Sequence, residues 1–189
     1  MRTFVVVSHT TPADGAWGLD DLAGGAGRVD VLCRNVQAAL CWSHDLRDDT
    51  RVVLVFADPA RPTAVAIDGA AVRRLNPDER STAARIRNAL QARPEDPWWE
   101  DVEPGIRVAP FTLAEVVADL DGTPVVFHTE GTPVLDATWP EDPMFLMGDH
   151  QPLTDDELAV APGAERISFG PRWLHGNHVI AITQWVMDP

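Results

Sequence analysis

Three short apolar runs in the last third of the chain set the strongest limit on its fold: Val125-Val126-Phe127, Met144-Phe145-Leu146-Met147 and Ile167-Ser168-Phe169. A glycine follows each, at Gly131, Gly148 and Gly170. An apolar run of that length, bounded by a turn residue, reads as a strand buried on both faces, as in a parallel sheet. Ligands of such sheets sit outside the carboxyl ends of the strands. A glycine there lets the backbone approach a ligand closely. The pattern admits two readings: three ordinary strand-to-loop turns, or three loops that converge on one pocket.

The rest of the chain alternates in kind. Residues 3–8 and 51–57 are rich in β-branched residues and read as strands, with a third, short one at 63–67. After the glycines at Gly24, Gly25 and Gly27, apolar residues at 29, 32, 33, 36 and 40 fit one helical face. Pro77 and the acids beside it mark the start of a helix over about 81–92. Residues 93–104, with three prolines and Trp98-Trp99, read as a surface loop, 106–108 as a strand and 112–120 as a helix. Thr154 and the acids after it cap a short helix over 154–160. The segment 178–187 fits a strand by composition and a helix by the spacing of its apolar residues. This alternation predicts an α/β fold with a mostly parallel sheet. A length of 189 residues predicts a single domain over 1–189.

Charge narrows the partners. The formal net charge is −14, which at long range repels nucleic acid. Its distribution is uneven: residues 28–93 carry a net +3 and residues 94–189 a net −15. Every basic side chain is arginine, whose planar fork suits phosphate, so the middle segment is a candidate RNA face. The alternative is a genome that replaces Lys with Arg and leaves the acids facing solvent. No stretch approaches the roughly 20 apolar residues of a membrane span. The start of the chain lacks a signal-peptide pattern, so a cytoplasmic protein without membrane contact is expected.

Other candidate chemistry is weak. Cys33 and Cys41 read as free core thiols. Ser43-His44-Asp45 is contiguous and does not give the geometry of a catalytic triad. His175 and His178 lie near Asp149-His150 in sequence, but no zinc-binding pattern accompanies them, and no metal is expected. His150 and His178 are expected to bond loop backbone instead.

Five ordered motifs carry a resemblance: Gly27-Arg28-Val29-Asp30; Ser43-His44-Asp45-Leu46-Arg47; Asn76-Pro77-Asp78-Glu79-Arg80-Ser81; Gly148-Asp149-His150; and Phe169-Gly170-Pro171 with Leu174-His175-Gly176-Asn177-His178. Over nearly its whole length the chain resembles the archaeal tRNA pseudouridine N1-methyltransferases that act on T-loop position 54. More distantly, Gly-Arg-x-Asp is similar to an element of the ribosomal RNA pseudouridine N1-methyltransferases. The resemblance implies a SPOUT fold, with the C-terminal part, about 123–189, threaded as a trefoil knot, and a homodimer. It implies S-adenosylmethionine as cofactor, held by Phe127, Gly148, the loop Ser168, Phe169, Gly170, Pro171, Arg172, Trp173 and Leu174, and Val179. It puts the target base near Arg28 and Asp30. Family members usually carry Leu where Phe127 stands and Cys where Val179 stands. Their usual ending, His-Asn-Tyr-Leu-Asp, is here Gln184-Trp185-Val186-Met187-Asp188.

The implied reaction puts a methyl group on N1 of pseudouridine, a weakly acidic imide-like nitrogen. Positioning supplies most of the rate in such a transfer. Asp30 is the candidate to accept the N1 proton or orient the base, and Arg28 to stabilise charge on a neighbouring carbonyl oxygen. Arg34, Arg47, Arg73, Arg74 and Arg80 are the candidate tRNA contacts, expected on one surface. Trp185 is the expected anchor of the dimer. Two other readings fit the acidity and the altered residues: a relative that methylates a small heterocycle, and a non-catalytic RNA-binding protein of the same fold.

Overall fold

The computed structural model describes residues 1–188. One eight-stranded sheet runs through it, in the order β4-β5-β3-β2-β1-β7-β6-β8. The central strand β1 (Arg2–Ser8) pairs in parallel with β2 (Thr50–Phe56) on one side and β7 (Pro143–Gly148) on the other. Beyond β7 lies β6 (Thr123–Pro133), then β8 (Glu165–Ser168), both parallel. Beyond β2 the sheet turns antiparallel through β3 (Thr63–Asp68), β5 (Ile106–Ala109) and β4 (Glu100–Glu103). The expected mostly parallel sheet is present, with a three-stranded antiparallel flank.

Side chains alternate between two cores, as a pleated strand requires. Phe4 and Val6 of β1, Phe145 and Met147 of β7, and Val125 and Phe127 of β6 face one core. That core is covered by α1 (Val29–Leu40), α2 (Glu79–Gln91) and α5 (Gly176–Met187). Val5, Val7, Met144, Leu146 and Val126 face the other, under α3 (Leu113–Asp119) and the segment of α4 (Asp155–Leu158). Covered on both faces, the strands have no polar side to show, which is why they read as unbroken apolar runs. The rings of Phe4, Phe145 and Phe127 stack across β1, β7 and β6 at centroid separations of 4.9 and 5.2 Å, and Phe169 meets Phe127 edge-on at 5.1 Å.

One ambiguity is resolved and two expectations change. The ambiguous segment near the C-terminus is the helix α5, because Val179, Ile180 and Thr183 bury against α1 and the Thr183 hydroxyl donates to the Val179 carbonyl at 2.9 Å. Residues 100–103, read as loop, form the edge strand β4. The chain after Phe127 does not leave the sheet. It bulges between Phe127 and Thr132 and rejoins β8, so β6 is 11 residues long. Gly131 sits in that bulge with the Arg166 carbonyl where a β-carbon would stand. Its glycine is a demand of the sheet, and the third glycine loop is absent.

Candidate active site

A cavity of about 470 Å³ opens at the carboxyl ends of β6, β7 and β8, a size that suits a cofactor. β6 contributes Phe127, His128 and Thr129, and β7 contributes Met147 and Gly148. The loop Asp149–Leu153 forms one wall. Phe169, Gly170, Arg172, Trp173 and Leu174 of the loop after β8 form another, and Gly176, Asn177 and Val179 bring in the start of α5. Arg28, Val31 and Arg34 of α1 and its cap close the remaining side. Two of the three glycine loops of the sequence do converge on one pocket.

Eight of the ten residues expected around a cofactor line this cavity: Phe127, Gly148, Phe169, Gly170, Arg172, Trp173, Leu174 and Val179. Ser168 and Pro171 do not. The Ser168 hydroxyl instead donates to the Thr129 carbonyl at 2.9 Å and accepts from the Gly170 amide at 3.2 Å, which fixes the loop to β6. Gly170 has φ +110° with open space beside it, so the backbone reversal is what requires glycine there. Gly148 is different. A β-carbon on it would collide with the Gln151 carbonyl of its own loop, so the loop packs against it whether or not a ligand is near.

The other side of the cavity is built on a left-handed turn. Gly27 and Arg28 have φ values of +59° and +68°. For an arginine this conformation costs of order 1–3 kcal/mol and persists only where its surroundings impose it. They do: the hydroxyls of Thr10 and Thr11 both donate to the Gly27 carbonyl, at 2.7 and 2.8 Å. The turn delivers the Arg28 fork onto Asp30, Nε to Oδ1 at 3.0 Å and Nη2 to Oδ2 at 3.2 Å. Arg34, one turn along α1, donates to the same carboxylate at 2.7 Å and to Glu79 at 2.9 Å. Asp30 is 6% exposed and absent from the cavity lining. Its burial works to raise its pKa, but the hydrogen bonds from Arg28 and Arg34 outweigh burial and hold it below the usual carboxylate range. Those contacts weaken it as a proton acceptor and make it the residue that orients both guanidinium groups.

The arginine surface is smaller than expected. Arg47 is buried, with Nη1 and Nη2 donating to Asp188 at 2.9 and 2.7 Å and its guanidinium over the Trp42 ring at 3.7 Å. At 7% exposure, with the Asp188 side chain supplying its counter-charge, it offers little surface to RNA. Arg73, Arg74 and Arg80 are exposed. Arg74 has φ +56°, held by Arg85, which donates to the carbonyls of Arg73 and Arg74 at 2.8 and 2.9 Å. Arg80 reaches Asp20 at 3.2 Å.

Residue-type reasoning missed Thr129, the 149–153 wall and His9. His9 follows a strand that ends in Ser8, and nothing in its neighbourhood marks it. The cysteines are as expected: Cys33 is buried and burial pushes its thiol pKa up, and Cys41 is half-buried. His178 is exposed and meets only the edge of the His175 ring, at 5.6 Å, rather than loop backbone.

Fold and site together define an RNA methyltransferase of the S-adenosylmethionine-dependent class: the family model described as putative SAM-dependent RNA methyltransferase matches residues 1–189. More particularly, the chain belongs to the archaeal tRNA (pseudouridine(54)-N(1))-methyltransferase family. It is 43% identical to the member from Haloferax volcanii, 41% to that from Haloarcula marismortui and 37% to that from Thermococcus gammatolerans. Each match takes in the whole of this chain and 96 to 97% of the relative. Among solved structures it shares the fold of Archaeoglobus fulgidus Nep1 bound to S-adenosylhomocysteine, with a TM-score of 0.64 over 98% of this chain and 97% of that one, at 14% identity. No helix among the described residues is long and apolar enough to cross a membrane.

Proposed function

We propose that this chain transfers a methyl group from S-adenosylmethionine to N1 of pseudouridine 54 in tRNA. The observation that carries this is the joining, in one cavity, of the two glycine loops with the braced Arg28. The apolar floor of Phe127, Met147, Phe169 and Val179 suits an adenosine, and the free backbone of the 149–153 and 169–175 loops suits its polar edges. Bound there, the cofactor supplies a methyl group on a positively charged sulfur. Phe127, Met147 and Phe169 exclude water from the transfer path. Arg28 offers donors to a pyrimidine carbonyl beside N1, where negative charge grows as the N1 proton departs. Asp30 serves as a positioning residue that fixes Arg28 and Arg34, and the N1 proton leaves to solvent at the mouth. Arg73, Arg74 and Arg80 hold the tRNA backbone.

Within this reading the chain is one SPOUT domain. Residues from about 123 to 188 form a trefoil knot, a threading supported by the strand order: the chain reaches β8 on the far side of β6, then returns to lay α5 on α1. It works as a cytoplasmic homodimer. Trp185, 73% exposed on α5, supports that interface, since isolated tryptophans of this kind anchor interfaces. Mass spectrometry of nucleosides from a tRNA bearing pseudouridine at position 54, incubated with methyl-labelled S-adenosylmethionine, tests the function. The label is expected on that nucleoside and absent when uridine replaces it. Cofactor binding without RNA methylation favours a small heterocycle as substrate; no cofactor binding favours the non-catalytic relative.

A further inference from the structure

His9 sits at the carboxyl end of β1, outside the reacting groups, and its ring is held between two carboxylates. Nδ1 lies 3.0 Å from Asp149 Oδ1 and Nε2 lies 3.1 Å from Glu157 Oε2. A carboxylate only accepts hydrogen bonds, and a neutral imidazole has one donor. Both contacts are satisfied together only when both ring nitrogens carry hydrogen. The backbone amide of His9 also donates to Asp149, at 2.9 Å, and the Gln151 amide donates to the same carboxylate at 3.0 Å. Glu157 in turn accepts from the Thr154 amide at 2.8 Å, as part of the capping box of α4. His9 thus ties three elements together: β1, the loop after β7 and the first turn of α4. That loop, from Asp149 to Leu153, is one wall of the cavity.

We propose that His9, in its doubly protonated form, is the positioning residue that holds the 149–153 wall in its ligand-binding shape. Cofactor affinity therefore falls as His9 loses its proton. The inference rests on reading the cavity as the cofactor site. The charges around the ring are Asp149 and His150 from the loop after β7, Glu157 with Asp155 and Asp156 from α4, and Arg28, whose charge reaches Asp149. Acids dominate this set. Burial of the ring works to lower its pKa, but the bonds to Asp149 and Glu157 prevail and raise it. The sign follows: while Asp149 and Glu157 are ionised, the clamp is fully present below the ordinary histidine value and is lost as pH rises through the raised one. Deprotonation removes one of the two ring hydrogen bonds and leaves two carboxylates facing a neutral ring.

Titration calorimetry with S-adenosylhomocysteine, run from about pH 6 to pH 10 across the histidine range, tests this on the parent, Glu157→Gln and His9→Gln. The parent should lose about tenfold in affinity across one transition, the worth of a charge-assisted hydrogen bond. In Glu157→Gln the transition should move to lower pH, because one carboxylate that favours the charged ring is gone. In His9→Gln it should vanish. The ligand's own amino group titrates alike in all three, so only the differences count. Hydrogen exchange of the Gln151 amide, corrected for its intrinsic pH dependence, gives a ligand-free readout: protection should fall over the same pH range in the parent and be flat in His9→Gln. An identical pH course in all three proteins, or protection of Gln151 that ignores pH, overturns the inference. Absence of binding at every pH overturns the cofactor reading instead, and the exchange of Gln151 still decides the role of His9.

Discussion

Arg47 and Asp188 lie 141 residues apart and meet through two hydrogen bonds, 2.9 and 2.7 Å long. Arg2 adds a third to the same carboxylate, at 2.7 Å, and a fourth to the Met187 carbonyl, at 3.0 Å. The first strand, the turn after α1 and the end of α5 are thus locked by one acid. The lock extends inward: the buried Gln184 amide donates to the Ala39 carbonyl at 3.0 Å and to the Thr50 hydroxyl at 3.1 Å, and accepts from Arg2.

Asp188→Asn should destabilise the fold by about 2 kcal/mol at neutral pH, since it leaves Arg47 buried without its counter-charge. The bonds from Arg47, against a smaller burial effect, hold the Asp188 pKa at about 2. A depressed carboxyl stabilises fully above its unfolded value, near pH 4, and loses that contribution as pH falls toward about 2. Denaturant unfolding should therefore show a gap between parent and variant at pH 7 that narrows sharply by pH 3. A constant gap would assign the effect to packing.

Arg28→Ala should lower the methylation rate by about a hundredfold while changing cofactor affinity little, because its proposed partner is the target base. Asp30→Asn should cost about tenfold, the scale of a residue that acts through another. The acid limb of the pH–rate profile decides Asp30's role. If Asp30 only positions Arg28, the limb keeps its place in the variant; if it accepts the N1 proton, the limb disappears.

Gly148→Ala should weaken S-adenosylmethionine binding by more than tenfold. The new methyl group meets the Gln151 carbonyl, so the 149–153 wall must shift. Gly170→Ala should cost about 1 kcal/mol of stability from its positive φ, with a smaller effect on binding, since nothing occupies the space beside it. The thermal shift caused by saturating cofactor separates the two, because it scales with affinity.

Replacing Arg73 and Arg74 together by alanine should flatten the salt dependence of tRNA binding by about 1.4 log units per log unit, at about 0.7 per lost phosphate contact on single strands. Arg47→Ala should leave that slope unchanged and lower the unfolding midpoint instead. A change of slope in Arg47→Ala would show that the buried pair with Asp188 opens to meet RNA.

The parallel sheet and the cavity were readable because Val125–Phe127 and Met144–Met147 are buried, and burial on both faces leaves an unbroken apolar run; at the edge strand β8 only Ile167 and Ser168 are buried. The two glycine loops were readable for the same reason. Gly131 misled because a bulge and a loop place the same residue type at the same distance from a strand. Arg47 misled because its partner, Asp188, lies at the other end of the chain, where no local pattern pairs them. His9 was invisible on the same ground: Asp149 and Glu157 are 140 and 148 residues away. The helical state of α5 was settled by α1, which no window on residues 178–187 contains.

The sheet order also fixes a schedule. β1 leaves the ribosome first, yet one of its two neighbours, β7, is made more than 130 residues later, with Thr3 paired to Met144. At roughly 5–20 residues per second, one edge of this buried central strand waits of order ten seconds for its partner during synthesis. Until then β1, β2 and the antiparallel flank stand as a half-sheet with an open hydrophobic border, the kind that captures other chains. Expression rate, codon usage near residues 100–140 and chaperone supply should therefore govern the soluble yield of this enzyme more than its final stability does.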